Sequence, residues 1–266
     1  VLRINGNRGE RIVKIYRKDR DTLRRWSSMP SRPDDRWRSA RVHDWNPRRV
    51  ALTVEFCRGE SPNRRWLAGE GDVADADRIG DLLAWIHSRP VDEALERFGP
   101  EDEAKTLQHR LETFERTLRT PTARARRLVR TVSERLHACE NDWVLCHRDL
   151  HDKQILLDGN RGCLIDLDLV ALGPSALDVG NILAHIHLRW LKGVPLPWEE
   201  LTGRIAAAAH ADRRLNGSLT AWTASTLLRL ALIYARRRHA PGLLDRLMDS
   251  TEAALAASGP WRILRG

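Results

Sequence analysis

Two neighbouring stretches hold the residues best suited to chemistry: CHRDLHDKQILLD at Cys146–Asp158 and LIDLD at Leu164–Asp168. Gln154 follows Asp149 by five positions in the first, and the second carries Asp166 and Asp168. Carboxylates beside a short hairpin can be a solvated turn. They are also what phosphoryl transfer requires, because that reaction is mostly positioning and charge neutralisation. One carboxylate must orient an acceptor hydroxyl and take its proton. Other oxygen ligands must hold Mg²⁺, which keeps water ligands and bridges phosphates. A lysine on a strand must reach those phosphates.

The elements that must position these groups follow from periodicity. LRI and RIVKIY flank NGNRGE, a Gly/Asn turn that predicts a hairpin. DTLRRW and PDDRWRSAR read as short polar helices, the second with Pro33 near its first turn. RVALTVEFC, residues 49–57, reads as a buried strand leaving through the turn-rich RGESPN. Ile79, Leu82, Leu83 and Ile86 then follow i, i+3, i+4, i+7 and predict an amphipathic helix over 75–87. EDEAKTLQHRLETFERTL and TARARRLVRTVSERLHAC predict two more helices. WVLC is a short strand, and QILLD and CLID form a hairpin closed by GNRG. Val179, Ile182, Leu183, Ile186 and Trp190 mark the next helix, with three more expected over 198–211, 219–238 and 243–257. The fold class is α+β and two-lobed: a small β-rich N-lobe over 1–60 and a helical C-lobe over 61–266.

Composition narrows the function classes. Of 266 residues, 42% are hydrophobic and 30% charged, as in an ordinary globular protein. No apolar run is long enough for a membrane helix, and VLRINGNRGERIVKIYRKD has no signal-peptide layout. Cys57, Cys139, Cys146 and Cys163 form no CxxC pair, so neither a zinc site nor a disulfide framework is expected, and a reducing cytoplasm fits. The net charge of +9 favours anionic partners such as nucleotides, but the arginines are scattered rather than gathered with interleaved aromatics. No specific nucleic-acid partner is expected.

HRDLHDKQILL…LIDLDLVALGPSALDVGNILAHI resembles the aminoglycoside phosphotransferase and choline kinase-like family. These small-molecule kinases share the two-lobed protein-kinase-like fold. Their pattern is roughly H-G-D-x-H-x-x-N-x-L, then I-D, a short Gly-containing stretch and D-[LV]-[AG]. The likeness is close over residues 146–186 and rests elsewhere on the order of elements. It implies an ATP- or GTP-dependent phosphotransferase with Asp149 as catalytic base and Mg²⁺ on Asp166 and Gln154. The family usually has Asn at that last position; a Gln carbonyl supplies the same oxygen on a longer arm, as in bacterial maltokinases. The resemblance also implies that His147 and Asp178 brace the catalytic loop. It matches His151 to a family histidine and leaves Asp168 as a metal or substrate contact or a solvated turn acid. Lys14 becomes the phosphate-binding lysine, and backbone groups near Glu55 to Cys57 the purine-binding hinge.

The chain departs from the family pattern at the front. The lysine's acidic partner is not a Glu, and of Asp21, Asp34 and Asp35 the preferred candidate is Asp35. A full N-lobe has another strand before VLRI with a phosphate-covering loop between them; a truncated N-terminus would explain their absence from this sequence, and so would a natural variant with a poor nucleotide cover. The C-terminal helices carry Arg189, Lys192, Arg204, Arg229 and neighbouring arginines, a balance that favours a sugar, a neutral metabolite or an anionic acceptor over a polycation. Two rivals remain. A protein kinase is suggested by HRDL, yet no D-F-G or A-P-E follows. An inactive nucleotide-binding regulatory protein suits Gln154 and the missing Glu, but not the presence of both Asp149 and Asp166.

Overall fold

The computed structural model describes residues 1–6, 9–19, 21–29, 35–118, 122–140, 142–210, 216–234 and 242–257. Strands β1 (Leu2–Gly6) and β2 (Gly9–Ile15) form the expected hairpin, with Gly6 opposite Gly9. Helix α1 (Thr22–Ser27) follows, then β3 (Trp37–Ser39), β4 (Val42–Asn46) and β5 (Ala51–Glu55). The sheet order is β1-β2-β5-β4, antiparallel throughout, with Lys14 opposite Leu52. Leu52 and Val54 point into the core, as the apolar run of β5 requires.

Beyond the strand exit the chain is mainly helical. Helices α2 (Pro62–Leu67), α3 (Ala74–His87), α4 (Pro100–Leu118) and α5 (Ala123–His137) lead to β6 (Val144–Cys146). The hairpin β7 (Ile155–Asp158) and β8 (Arg161–Leu164) turns through Gly159 and Asn160, with Gly159 in the left-handed region that favours glycine. A single 3₁₀ turn (Leu167–Leu169) leads into β9 (Ala171–Gly173), which pairs antiparallel with β6. Helices α6 (Ser175–Leu191), α7 (Trp198–His210), α8 (Asn216–Tyr234) and α9 (Leu243–Ala256) complete the lobe. No helix among the described residues is long and apolar enough to cross a membrane.

Helix α6 is buried along nearly its whole length and is the axis of the helical lobe. Its approach to α8 is close at Gly180, where a Cβ would lie 2.8 Å from the Thr223 nitrogen and the Trp222 carbonyl carbon. Both neighbours are backbone and cannot give way by a rotamer change. Gly180→Ala is therefore expected to destabilise the protein by about 1–3 kcal/mol, read as a lower urea midpoint.

Two expectations are corrected by tertiary pairing. PDDRWRSAR does not supply a second helix: Trp37–Ser39 is a strand lying parallel to β8, more than a hundred positions away. The Trp37 ring packs on Gly162, where any side chain would collide with it. Pro33 and Asp34 lie outside the described residues. Cys57 and Cys163 are joined in a disulfide, where none was expected. The backbone N–H of Glu60 donates to Leu157 O, and that of Leu157 to Glu60 O, bringing the segment after β5 against the hairpin and the two cysteines together. Cys139 and Cys146 are not joined in a disulfide. The expectation of a reducing compartment therefore draws no support from the cysteines.

Candidate active site

The turn between β6 and β7 carries Asp149, and its shape is set from below. Arg148 has φ of 68°, a left-handed conformation that a non-glycine residue adopts only when neighbours enforce it. Asp178, fully buried near the start of α6, accepts the backbone N–H of His147 at 2.7 Å and of Arg148 at 2.8 Å. Asn181, one turn on, donates to the Arg148 carbonyl at 2.7 Å. His147 completes the brace: its Nε2 lies 2.9 Å from Ile165 O, and its Nδ1 accepts from the Asp149 N–H at 3.3 Å. Both contacts are met by one neutral tautomer, protonated on Nε2. Asp178→Ala strips two buried N–H groups of their acceptor. A loss of about 2–5 kcal/mol in chemical denaturation is expected, whereas Asp178→Asn, keeping one acceptor oxygen, loses less.

Across the hairpin, Asp166 also sits in the left-handed region at φ 65°. Its carboxylate meets the Lys14 ammonium from β2 and, at 3.2 Å, the Gln154 amide. Burial pushes the Asp166 carboxyl up, but the hydrogen bond and charge of Lys14, with the hydrogen bond from Gln154, outweigh it and hold the group below the ordinary carboxylate range. Asp166 is thus an ionised carboxylate beside an amide whose oxygen and nitrogen can exchange places. This all-oxygen pair suits a hard divalent cation such as Mg²⁺.

Asp168 is more heavily engaged than a turn acid. One oxygen accepts Lys14 at 2.7 Å; the other accepts the Tyr16 hydroxyl and the Trp26 indole N–H, both at 2.8 Å. Burial first, then the charge of Asp168, raises the Tyr16 hydroxyl far above its usual range and keeps it protonated. The acids that meet Lys14 are therefore Asp166 and Asp168. Asp35, expected in that role, precedes β3 and is not among its described partners.

His151 lies 4.0 Å from Asp149 and 3.4 Å from the Gln154 amide, stacked on His185 with centroids 4.6 Å apart. Burial lowers the pKa of both rings, so each is neutral near pH 7. Behind them, buried Asp152 receives a two-pronged ion pair from Arg189 at 2.7 and 2.9 Å. Sequence reasoning missed Asp152, Tyr16 and Trp26. Asn181 had a readable signal, its i+3 spacing from Asp178 on a helix.

A cleft of about 280 Å³ brings Lys14, Gln154 and Asp166 together with the segment Glu55–Cys57. Ile12, Ala40, Val54, Leu156 and Ile165 give it apolar walls, Glu55, Phe56 and Cys57 line one side, and Lys14, Gln154 and Asp166 supply its polar end. Its lining is thus mostly apolar, with a lysine, an amide and a carboxylate among it. The Glu55 carboxylate is turned away to Arg38, at 2.7 Å. Another cavity, of about 340 Å³, lies by Arg135, Cys139 and Ser218, among none of these groups.

Comparison with known proteins bears on the same arrangement. Choline kinase LicA from Streptococcus pneumoniae matches with a TM-score of 0.62 at 13% identity, over 96% of this chain and 89% of that one. An ethanolamine kinase from Plasmodium vivax matches with 0.60 at 12% identity, over 97% and 78%. A glucosamine kinase solved with glucosamine, ADP and inorganic phosphate matches with 0.53 at 19% identity, over 78% and 60%. Such identities speak for the fold alone. No curated protein matches the sequence significantly. The model of the phosphotransferase enzyme family matches residues 1–215, spanning the sheet, the hairpin and the helices beneath it. The chain belongs to that family, the aminoglycoside phosphotransferase and choline kinase-like small-molecule kinases with a protein-kinase-like fold.

Proposed function

We propose that this phosphotransferase moves the γ-phosphoryl of ATP or GTP to a hydroxyl on a small molecule such as a sugar, amino sugar or amino alcohol. The observation carrying this reading is the convergence, in one mostly apolar slot, of Lys14 from β2 with Gln154 and Asp166, which flank the hairpin that follows Asp149. Asp149 is the base. Its carboxylate is half open to solvent, free of the ion pairs that occupy Asp166 and Asp168, and so available to an incoming hydroxyl. As the hydroxyl oxygen bonds to the γ-phosphorus, the bond to the β–γ bridging oxygen breaks, ADP or GDP leaves, and Asp149 takes the hydroxyl proton. Asp166 and Gln154 would hold Mg²⁺, which would supply neutralisation of charge on the phosphates. Lys14 steadies the same phosphates, and the Glu55–Cys57 segment receives the purine. His147 and Asp178 keep the base in place through backbone contacts and touch no reactant. The nucleotide-covering lobe ends near residue 60, and the rest carries the base and the acceptor site.

Formal charge in the C-terminal helices does not describe the acceptor site. Arg189 pairs with Asp152, Arg204 with Asp77 and Arg229 with Glu103. Solved relatives are named as kinases of choline, ethanolamine and glucosamine, so small hydroxyl compounds, amino-bearing ones included, are the class to screen. The test is a panel of sugars, amino sugars and amino alcohols incubated with MgATP, following ADP release and the mass of the product. Acceptor-dependent ADP and a product heavier by one phosphoryl group are expected. Nucleotide binding with no turnover on any acceptor would favour the inactive, nucleotide-binding alternative.

A further inference from the structure

Protein kinases set their phosphate-binding lysine with a Glu on the helix that follows it. Here that helix, α1, reads TLRRWS and carries no acid. What α1 offers instead is a donor: the Trp26 indole N–H, aimed at Asp168. Tyr16, two residues past Lys14 on the same chain segment, aims its hydroxyl at the same oxygen. The other Asp168 oxygen takes Lys14. The ammonium also lies 5.0 Å from the Trp26 ring and 5.9 Å from that of Tyr16, within or close to cation–π range.

Resting on the function proposed above, we infer that Asp168, clamped by Tyr16 and Trp26, is the positioning residue for Lys14 and takes the place of the helix-borne acid. A carboxylate offers about four acceptor directions, and three are in use here, which leaves little of Asp168 for a metal. Lys14 also touches Asp166, but Asp166 is the metal ligand of the proposed site, so the acid that keeps the lysine when the cation binds is Asp168. The polarity of the pair is inverted relative to a helix Glu. Lys14, Tyr16 and Trp26 belong to the sheet lobe, whereas Asp168 stands on the helical lobe, two residues from Asp166. Arg25 of α1 adds a contact to the Asp168 carbonyl at 3.4 Å and an ion pair to Glu96. The lysine is therefore set only when the sheet lobe sits on the helical lobe, by the same turn that sets the metal ligand.

The experiment measures, by calorimetry, the Kd of MgATP, the Kd of adenosine and the Mg²⁺ midpoint for ATP binding. Adenosine fills the apolar slot but has no phosphates for Lys14. Asp168→Asn is expected to weaken MgATP by about tenfold, leave adenosine within about twofold and leave the Mg²⁺ midpoint in place. Tyr16→Phe and Trp26→Phe are expected to give the same pattern at a few-fold, and Asp168→Glu an intermediate loss. Lys14→Met combined with Asp168→Asn should weaken MgATP no more than Lys14→Met alone. A Mg²⁺ midpoint shifted as far as in Asp166→Ala would make Asp168 a metal ligand and overturn the inference. So would additive losses, or wild-type MgATP affinity in Asp168→Asn. If Asp168→Asn fails to fold, Tyr16→Phe decides by the same criteria. Wild-type protein that binds no MgATP overturns the functional reading and this inference together; wild type that binds, with an unaltered Asp168→Asn, overturns this inference alone.

Discussion

Asp149→Asn is expected to lower phosphoryl transfer by about 10³-fold while leaving the Kd of MgATP within about twofold. The substitution keeps the shape of the side chain and the N–H that binds His147 Nδ1, so the loop retains its brace. What it removes is the proton acceptor. An amide cannot take the proton of a hydroxyl as the new bond to phosphorus forms, and the hydroxyl also loses the charged oxygen that orients it. The fall should therefore be in kcat, read from ADP release at saturating acceptor and nucleotide. A Kd that rose with the fall in rate would mean that Asp149 serves the nucleotide rather than the acceptor.

Asp166→Ala should act on binding instead, and its effect should change sign with the metal. With Mg²⁺ present, ATP binding should weaken on the order of 100-fold, because the proposed principal oxygen ligand is gone. Without Mg²⁺, the variant should bind ATP as well as wild type or better. In wild type the Asp166 charge faces incoming phosphates and its ion pair draws on Lys14. Removing it lifts a repulsion and leaves the lysine to Asp168 and the nucleotide. An Asp166→Ala protein that still gained affinity from Mg²⁺ would move the metal site elsewhere.

How much of this was legible in the sequence depended on how local each feature is. Gln154 and Asp166 flank one hairpin whose apolar strands and two-residue turn are written in consecutive residues, so their meeting could be read directly. The buried strand β5 and helices α3 to α5 were equally plain, since their periodicity comes from a single buried face. β4 was not, because VHDWN is mostly exposed and is a strand only through its pairing with β5. β3 was misread as helix: its three residues are held by a parallel partner that no local pattern announces.

The site shows the same division. The position of Lys14 was readable only through the order of elements, and its partner was sought nearby in sequence, on the helix. The structure brings in Asp168, which lies far along the chain but two residues from the expected metal ligand. Spacing in LIDLD hinted at a second acid without saying what it faced. Likewise Cys57 and Cys163 carry no pairing motif, being 106 positions apart, and meet only because the segment after β5 docks on the β7–β8 hairpin. The arginines weighed in the charge balance of the C-terminal helices include Arg189, buried on Asp152. Charge summed along a sequence does not show which charges are already paired.

The most direct measurement is calorimetric titration of ATP into the wild-type protein, once with Mg²⁺ and once with EDTA in its place. Saturable binding with Mg²⁺, weakened at least tenfold by EDTA, is the expected result for a nucleotide slot closed by Asp166, Gln154 and Lys14. Equal affinity in the two titrations, or none in either, would contradict a magnesium-dependent phosphotransferase site at this hairpin.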